Sequence, residues 1–362
     1  MSTFDENTYK RLKVIKKIDL SFSDTILEYL EKLPPIRFKN QPYSFKIQHA
    51  PTDALDDSRF SRFPSILNAV KLLTTKYTLD IPPHKIIIYG NSKPDGNNGN
   101  SKRDLALSPN GNNGTNVSNK YINHVANIVR WWATIMPGKY LVTLYLTDIK
   151  KRLPPVYPNK PKILSEEYSN SGFTFVAEPR DIHIFRKEES LKVLIHELIH
   201  SSQFDFDNKF LHPLPLKIKD DNITNEGITE YLAIIFYYWY IANYTQHVFY
   251  PNTSANELFL NYLGNDLGWQ EYQMNKILNY FNMKPTDLLI ENNFRQKTSI
   301  ISYFFFKNYL FNENSLPIIL SRNYDDINSL IDGMSDFIKS YKTNAVPHSS
   351  LSMRMSLYEL NY

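Results

Sequence analysis

Apolar residues along the chain recur at two spacings, and each spacing predicts an element. In SDTILEYLEKL they return every three or four positions, as on one face of a helix, so a helix begins near Ser23 and ends at Pro34 and Pro35. FPSILNAVKLLTTKY repeats that pattern with Pro64 in its first turn, and predicts a second helix. HKIIIYG is a short unbroken apolar run and reads as a buried strand over 85–89. NKYINHVANIVRWWATIM predicts a helix over 122–136. KYLVTLYLTDI, SGFTFVA and DIHIF predict strands, the last two split by Glu178-Pro179-Arg180. Helices follow over 190–203 and 224–243, and from 255 to 342 helical segments alternate with polar turns.

Between 90 and 119 the Asn, Gly and Ser content is too high to bury a core, and a flexible surface insertion is expected. The order of elements predicts an α+β chain of 362 residues, long enough for about two domains of roughly 150 each. Its expected parts are a mixed α/β region over 1–89, the Asn/Gly-rich insertion 90–119, a sheet with a following helix over 120–220, a mainly helical subdomain over 221–342 and a tail over 343–362.

Composition narrows the chemistry. Hydrophobic residues at 42% and charged residues at 22% exclude a wholly disordered chain. The 41 Lys plus Arg against 37 Asp plus Glu leave +4, too little over this length to argue for nucleic acid. The basic runs KRLKVIKK and DIKKRLP are short, flanked by acids, and read as solvated surface. With no cysteine, disulfides, thiolate metal clusters and cysteine nucleophiles are excluded, so any metal must be held by histidine and carboxylate. YLAIIFYYWYIA, over 231–242, falls short of the about 20 residues a membrane span needs and reads as a core helix. MSTFDENTYKRLKVIKKIDL lacks the apolar core of a secretory signal, so an intracellular, cytoplasmic protein without membrane partners is expected.

The chemistry gathers in LKVLIHELIHSS, which contains His196-Glu197-Leu198-Ile199-His200. Residues four apart share a helical face, so His196 and His200 can present two nitrogens to one ion. Glu197 sits about 100° round from His196, beside such an ion but outside the histidine pair, where a general base belongs. Ser190 is the expected N-cap of this helix. A third ligand is needed, and Glu226 in NEGITEYLAIIFYY supplies a carboxylate in the first turn of the next helix, 26 residues after His200. Glu230, one turn further on that face, can accept the N–H of a liganding histidine and fix its tautomer.

HExxH followed by NExxxE resembles the gluzincin, thermolysin-like metallopeptidases over about 50 residues. The resemblance implies one catalytic zinc ion held by His196, His200 and Glu226, with Glu197 as catalytic base and Glu230 as the outer partner. It implies a zincin-like layout: a mixed twisted sheet, a backing helix (122–136), the HExxH helix and a helical C-terminal subdomain. The edge strand of that sheet, SGFTFVA here, would run antiparallel to bound peptide. The implied activity is hydrolysis of peptide or protein substrates by Glu-assisted attack of zinc-activated water, with a Tyr or His sharing the oxyanion charge. Tyr303 in TSIISYFFFKNYL is the main candidate for that donor, ahead of His212 and His247. The GxMEN-type strand of gluzincin aminopeptidases is missing, although Glu178 lies near, which favours an endopeptidase over an aminopeptidase. A catalytically inactive zinc-binding protein serving as an interaction module is the other reading. The intact Glu197 argues against it.

Overall fold

The computed structural model describes residues 2–3, 23–39, 43–49, 64–91, 117–156, 161–218, 223–343 and 351–360. Along these, β1 (Ser2–Thr3), α1 (Ser23–Glu31), β2 (Lys46–His49) and α2 (Pro64–Val70) precede β3 (Thr75–Ile81) and β4 (His84–Gly90). After α3 (Asn119–Ile135) come β5 (Tyr140–Tyr145), the single turn α4 (Glu166–Ser169), β6 (Gly172–Phe175), β7 (Arg180–Ile184) and α5 (Ser190–Ser201). Helices α6 (Asn225–Val248) and α7 (Ala255–Phe281) lead to a π-helical segment, Ser302–Phe306, that runs into α8 (Lys307–Asn312). α9 (Leu316–Ser321), α10 (Tyr324–Ser340) and β8 (Tyr358–Glu359), paired antiparallel with β1, complete the order.

The architecture is mixed α+β. Six strands form one sheet in the order β2-β3-β4-β5-β7-β6. β4, β5 and β7 run parallel, whereas β2, β3 and β6 are each antiparallel to their neighbours. Parallel neighbours need a crossover, and α3 supplies it between β4 and β5. Alternate residues point one way, so Leu79, Ile86, Ile88, Val142, Leu144, Ile182 and Ile184 form a single buried face under the helices. The opposite face carries the smaller cluster of Ile66, Val70, Leu73, Tyr145 and Phe185, roofed by α2. α6 is buried all round over 231–242, as expected for a core helix. No helix among the described residues is long and apolar enough to cross a membrane.

Several sequence-based expectations change here. The helix begun at Pro64 ends at Val70, and TTKY belongs instead to β3 and its approach. TKYTLDI alternates Thr75, Tyr77 and Leu79 inward, and pairing with β4 across the Pro82-Pro83 turn outweighs local helical tendency. β2, whose four residues are all exposed, gives no apolar signal and was not expected. In DIKKRLP, Lys151 is not solvated surface: it is 1% exposed and bridges Glu189 at 2.9 Å. KRLKVIKK and most of the Asn/Gly-rich insertion lie outside the described residues. Ser190 is not the N-cap of α5. Glu189 takes that place in a left-handed conformation (φ 58°), and Ser190 Oγ accepts a hydrogen bond from Tyr121 on α3. Finally, residues 351–360 pack into the core through Met353, Met355, Leu357 and Leu360.

Candidate metal centre

α5 lies against the β6/β7 end of the sheet, with α3 and α6 packed beside it. Its run of Leu191, Leu194, Ile195, Leu198 and Ile199 is fully buried, and that packing fixes the rotation of the helix about its axis. His196 and His200 then face the first turn of α6, where Glu226 enters. The two Nε2 atoms are 3.1 Å apart, and Glu226 Oε2 lies 3.3 Å from that of His196 and 3.4 Å from that of His200. Bonds of about 2.0–2.1 Å to a tetrahedral ion place neighbouring ligand atoms about 3.3 Å apart, so the triangle has the edge such a site requires. Among the described residues, His196, His200 and Glu226 form a group able to hold a metal ion.

Each ring is fixed through its other nitrogen. His196 Nδ1 donates to Glu230 Oε2 at 3.0 Å and His200 Nδ1 to Asp205 Oδ2 at 2.5 Å. With Nδ1 protonated, both Nε2 lone pairs point into the triangle, the tautomer metal binding needs. Asp205 is a partner that sequence reasoning did not single out. It sits five residues past His200, off any helical face, and returns because α5 ends at Ser201 and Gln203 turns the chain in a left-handed conformation (φ 54°). Thr229 Oγ1 also donates to Asp205, at 3.1 Å.

Electrostatics match this arrangement. Burial disfavours the Glu226 carboxylate, yet His200 and His196 overcome it and hold the group well below the usual carboxylate range. Burial likewise disfavours a charged His200, but Glu226 and Asp205 raise it well above an ordinary histidine. A metal held by this ring would have to displace the proton on its Nε2, so uptake would release acid. Glu230, fully buried, is pushed up by desolvation but pulled further down by Lys192 and Lys307, to about 2 from 4.5. Its contribution to stability is therefore complete above about pH 4.5 and is lost as the pH falls toward about 2. Acid unfolding of chelator-treated protein, followed by circular dichroism, should show that loss, and Glu230→Gln should flatten the dependence over the same window.

Glu197 does not join the triangle. It is 5% exposed, and burial raises its carboxyl against the lowering pull of His196 and His200. A Cβ on Gly172 of β6 would meet Glu197 Oε1 at 2.7 Å, so glycine at that strand position is what leaves room for the carboxylate. Tyr303 does reach the site: its hydroxyl donates to Glu226 Oε2 at 3.0 Å. Gly227 permits this, since a Cβ there would lie 2.5 Å from Phe306 Cδ1 and 2.9 Å from Ser302 O. The π-helical turn therefore packs directly on the start of α6, and irregular turns of this kind recur at functional sites. The weaker candidates stand elsewhere, with His212 in a surface pair with Asp332 and His247 stacked on Phe38. Glu178 pairs with Arg180 and is largely exposed.

The centre opens into a cavity of about 940 Å³ whose lining includes Gly172, Phe173, Thr174 and Val176 together with Asn208, Asn225, Tyr303 and Tyr324. β6 is the edge of the sheet. Ser171 O accepts from Phe185 N, so alternation turns the backbone groups of Gly172 and Thr174 away from β7, toward the open side. A three-donor group able to hold a metal ion, a buried carboxylate and an open strand edge thus share one cavity. Comparison with protein-family models, with curated proteins and with solved structures gives no match.

Proposed function

We propose that the chain is a zinc-dependent peptidase of the gluzincin type, acting as an endopeptidase on extended peptide segments. The observation that carries this reading is the 3.1–3.4 Å triangle of His196, His200 and Glu226, open to the cavity that also holds Glu197. Two imidazoles and one carboxylate suit zinc among the common divalent cations. The antiparallel edge strand β6 and the helix α3 behind α5 are consistent with a zincin-like layout.

A zinc ion held there would acidify a water molecule and polarise the scissile carbonyl. The protein's own groups do the rest. Glu197, its basicity raised by burial, takes a proton from the attacking water and delivers it to the leaving amine. Tyr303, whose hydroxyl burial and Glu226 keep protonated, donates to the oxygen on which charge develops. Glu230 and Asp205 hold the two rings in register. The outward N–H and C=O groups of Gly172 and Thr174 add the substrate as a further strand, which binds main chain and leaves side-chain preference loose. Glu178 is engaged by Arg180 rather than placed to grip an α-amine, which supports endopeptidase over aminopeptidase action.

Metal analysis of the purified protein followed by digestion of a peptide library, with and without chelator, tests the proposal. Expected are about one zinc per chain, internal cleavage, loss of cleavage with chelator and its return with zinc. Cleavage indifferent to chelator would overturn the reading. Gly172→Ala adds an expectation. The new Cβ displaces Glu197, cleavage falls by up to about 10²-fold because a misplaced base loses its line of attack, and zinc affinity is unaltered. Steady-state kinetics beside chelator competition measures both.

A further inference from the structure

On the Nδ1 side of His196 the charges continue into the core. Glu230 accepts two hydrogen bonds from Lys192 Nζ, at 2.7 and 2.9 Å, and lies 3.6 Å from Lys307 Nζ. Both lysines are essentially unexposed, and an ammonium has three donors to satisfy. Segment 351–360 supplies what Glu230 does not. Lys307 Nζ donates to Met355 O at 3.0 Å, and Lys192 Nζ lies 3.8 Å from Met355 Sδ.

The segment is itself held at several points. Glu189 accepts from Met355 N at 3.0 Å, Ser356 N at 2.7 Å and Ser356 Oγ at 2.5 Å. Leu357 N donates to Asp266 at 2.7 Å, and Arg354 O accepts from Trp269 and Gln273. Glu189 is also the residue that opens α5, two turns before His196. One buried stretch of chain therefore fastens the start of the HExxH helix and both cations on the carboxylate that orients its first histidine. Packing alone would not require polar contacts aimed at the two lysines that hold Glu230.

We infer that segment 351–360 is part of the metal centre: it positions Lys192 and Lys307, which hold Glu230 where it orients His196. The inference rests on the reading of His196, His200 and Glu226 as a zinc site. Lys192 and Lys307 are positioning residues, since neither contacts a ligand atom of the triangle. Met355 contributes through its carbonyl and its sulfur, so the segment's backbone path matters as much as its side chains.

Lys307→Met keeps the length of the side chain and removes the ammonium. In the full chain, zinc affinity per folded molecule, read by competition with a chromophoric chelator, should weaken about 10–100-fold, as when an outer partner of a ligand is lost. With peptide substrate and saturating zinc, kcat should fall and KM should hold. Zinc affinity within twofold of the native value, even with a lowered melting temperature, overturns the inference, because a purely structural role costs stability alone. The native chain provides a second measurement that needs no variant. Coupling is reciprocal, so zinc should slow amide exchange at Met355, Ser356 and Leu357 by a similar factor. Exchange there that is indifferent to zinc overturns the inference as well. A native chain that takes up no zinc refutes the metal reading instead, so the two failures are distinct.

Discussion

Glu197→Gln is expected to lower peptide cleavage by about 10²–10⁴-fold while zinc binding stays within a few-fold of native. The two quantities separate because Glu197 stands outside the triangle of donor atoms, yet shares its cavity. Glutamine matches glutamate in shape, so the contact with Gly172 and the packing of α5 survive. What is lost is the ability to accept a proton, and burial raises the basicity of this carboxylate above that of an ordinary glutamate. Steady-state kinetics on one peptide, with zinc content measured on the same sample, reads both numbers. The variant also decides between an enzyme and a zinc-holding interaction module. A module has no use for that carboxylate and would keep its partner binding unchanged.

Tyr303→Phe is expected to reduce kcat by about 10²–10³-fold, near 3 kcal/mol, with KM little changed. The ring packs edge-on to His196 at 6.2 Å between centroids, and phenylalanine keeps that contact. Only the hydroxyl goes. Burial first, and then Glu226, raise the phenol far above its ordinary value, so the group keeps its proton and is a donor throughout the neutral range. A donor lost only from the transition state appears in kcat and spares KM. An unchanged kcat would reduce Tyr303 to packing around Glu226, and the oxyanion donor would have to be sought elsewhere on the cavity wall.

How much of this was legible beforehand follows the range of the interactions. The HExxH helix, the entry of Glu226 in the first turn of the next helix, and the place of Glu230 one turn further along the same face are each set within one or two turns. A period of 3.6 residues is enough to read them. β3 was misread because its alternating Thr, Lys and Tyr resemble the frayed end of a helix until β4 is present to pair with it. The basic look of DIKKRLP misled for a related reason. Lys151 is buried because Glu189, 38 residues on, meets it, and no local pattern carries that information.

By itself, the sequence determined the donor types, two imidazoles and a carboxylate with no thiol available, and the helical spacing that lets the imidazoles share an ion. Tertiary structure alone decided that Glu226 closes to 3.3–3.4 Å of both rings, that Asp205 turns back onto His200, and that Tyr303 reaches the same carboxylate. It also brought residues 351–360 beneath the site. The reason is physical: helical periodicity acts over a few residues, whereas convergence of separate elements depends on how their buried faces pack, down to the missing side chains of Gly172 and Gly227.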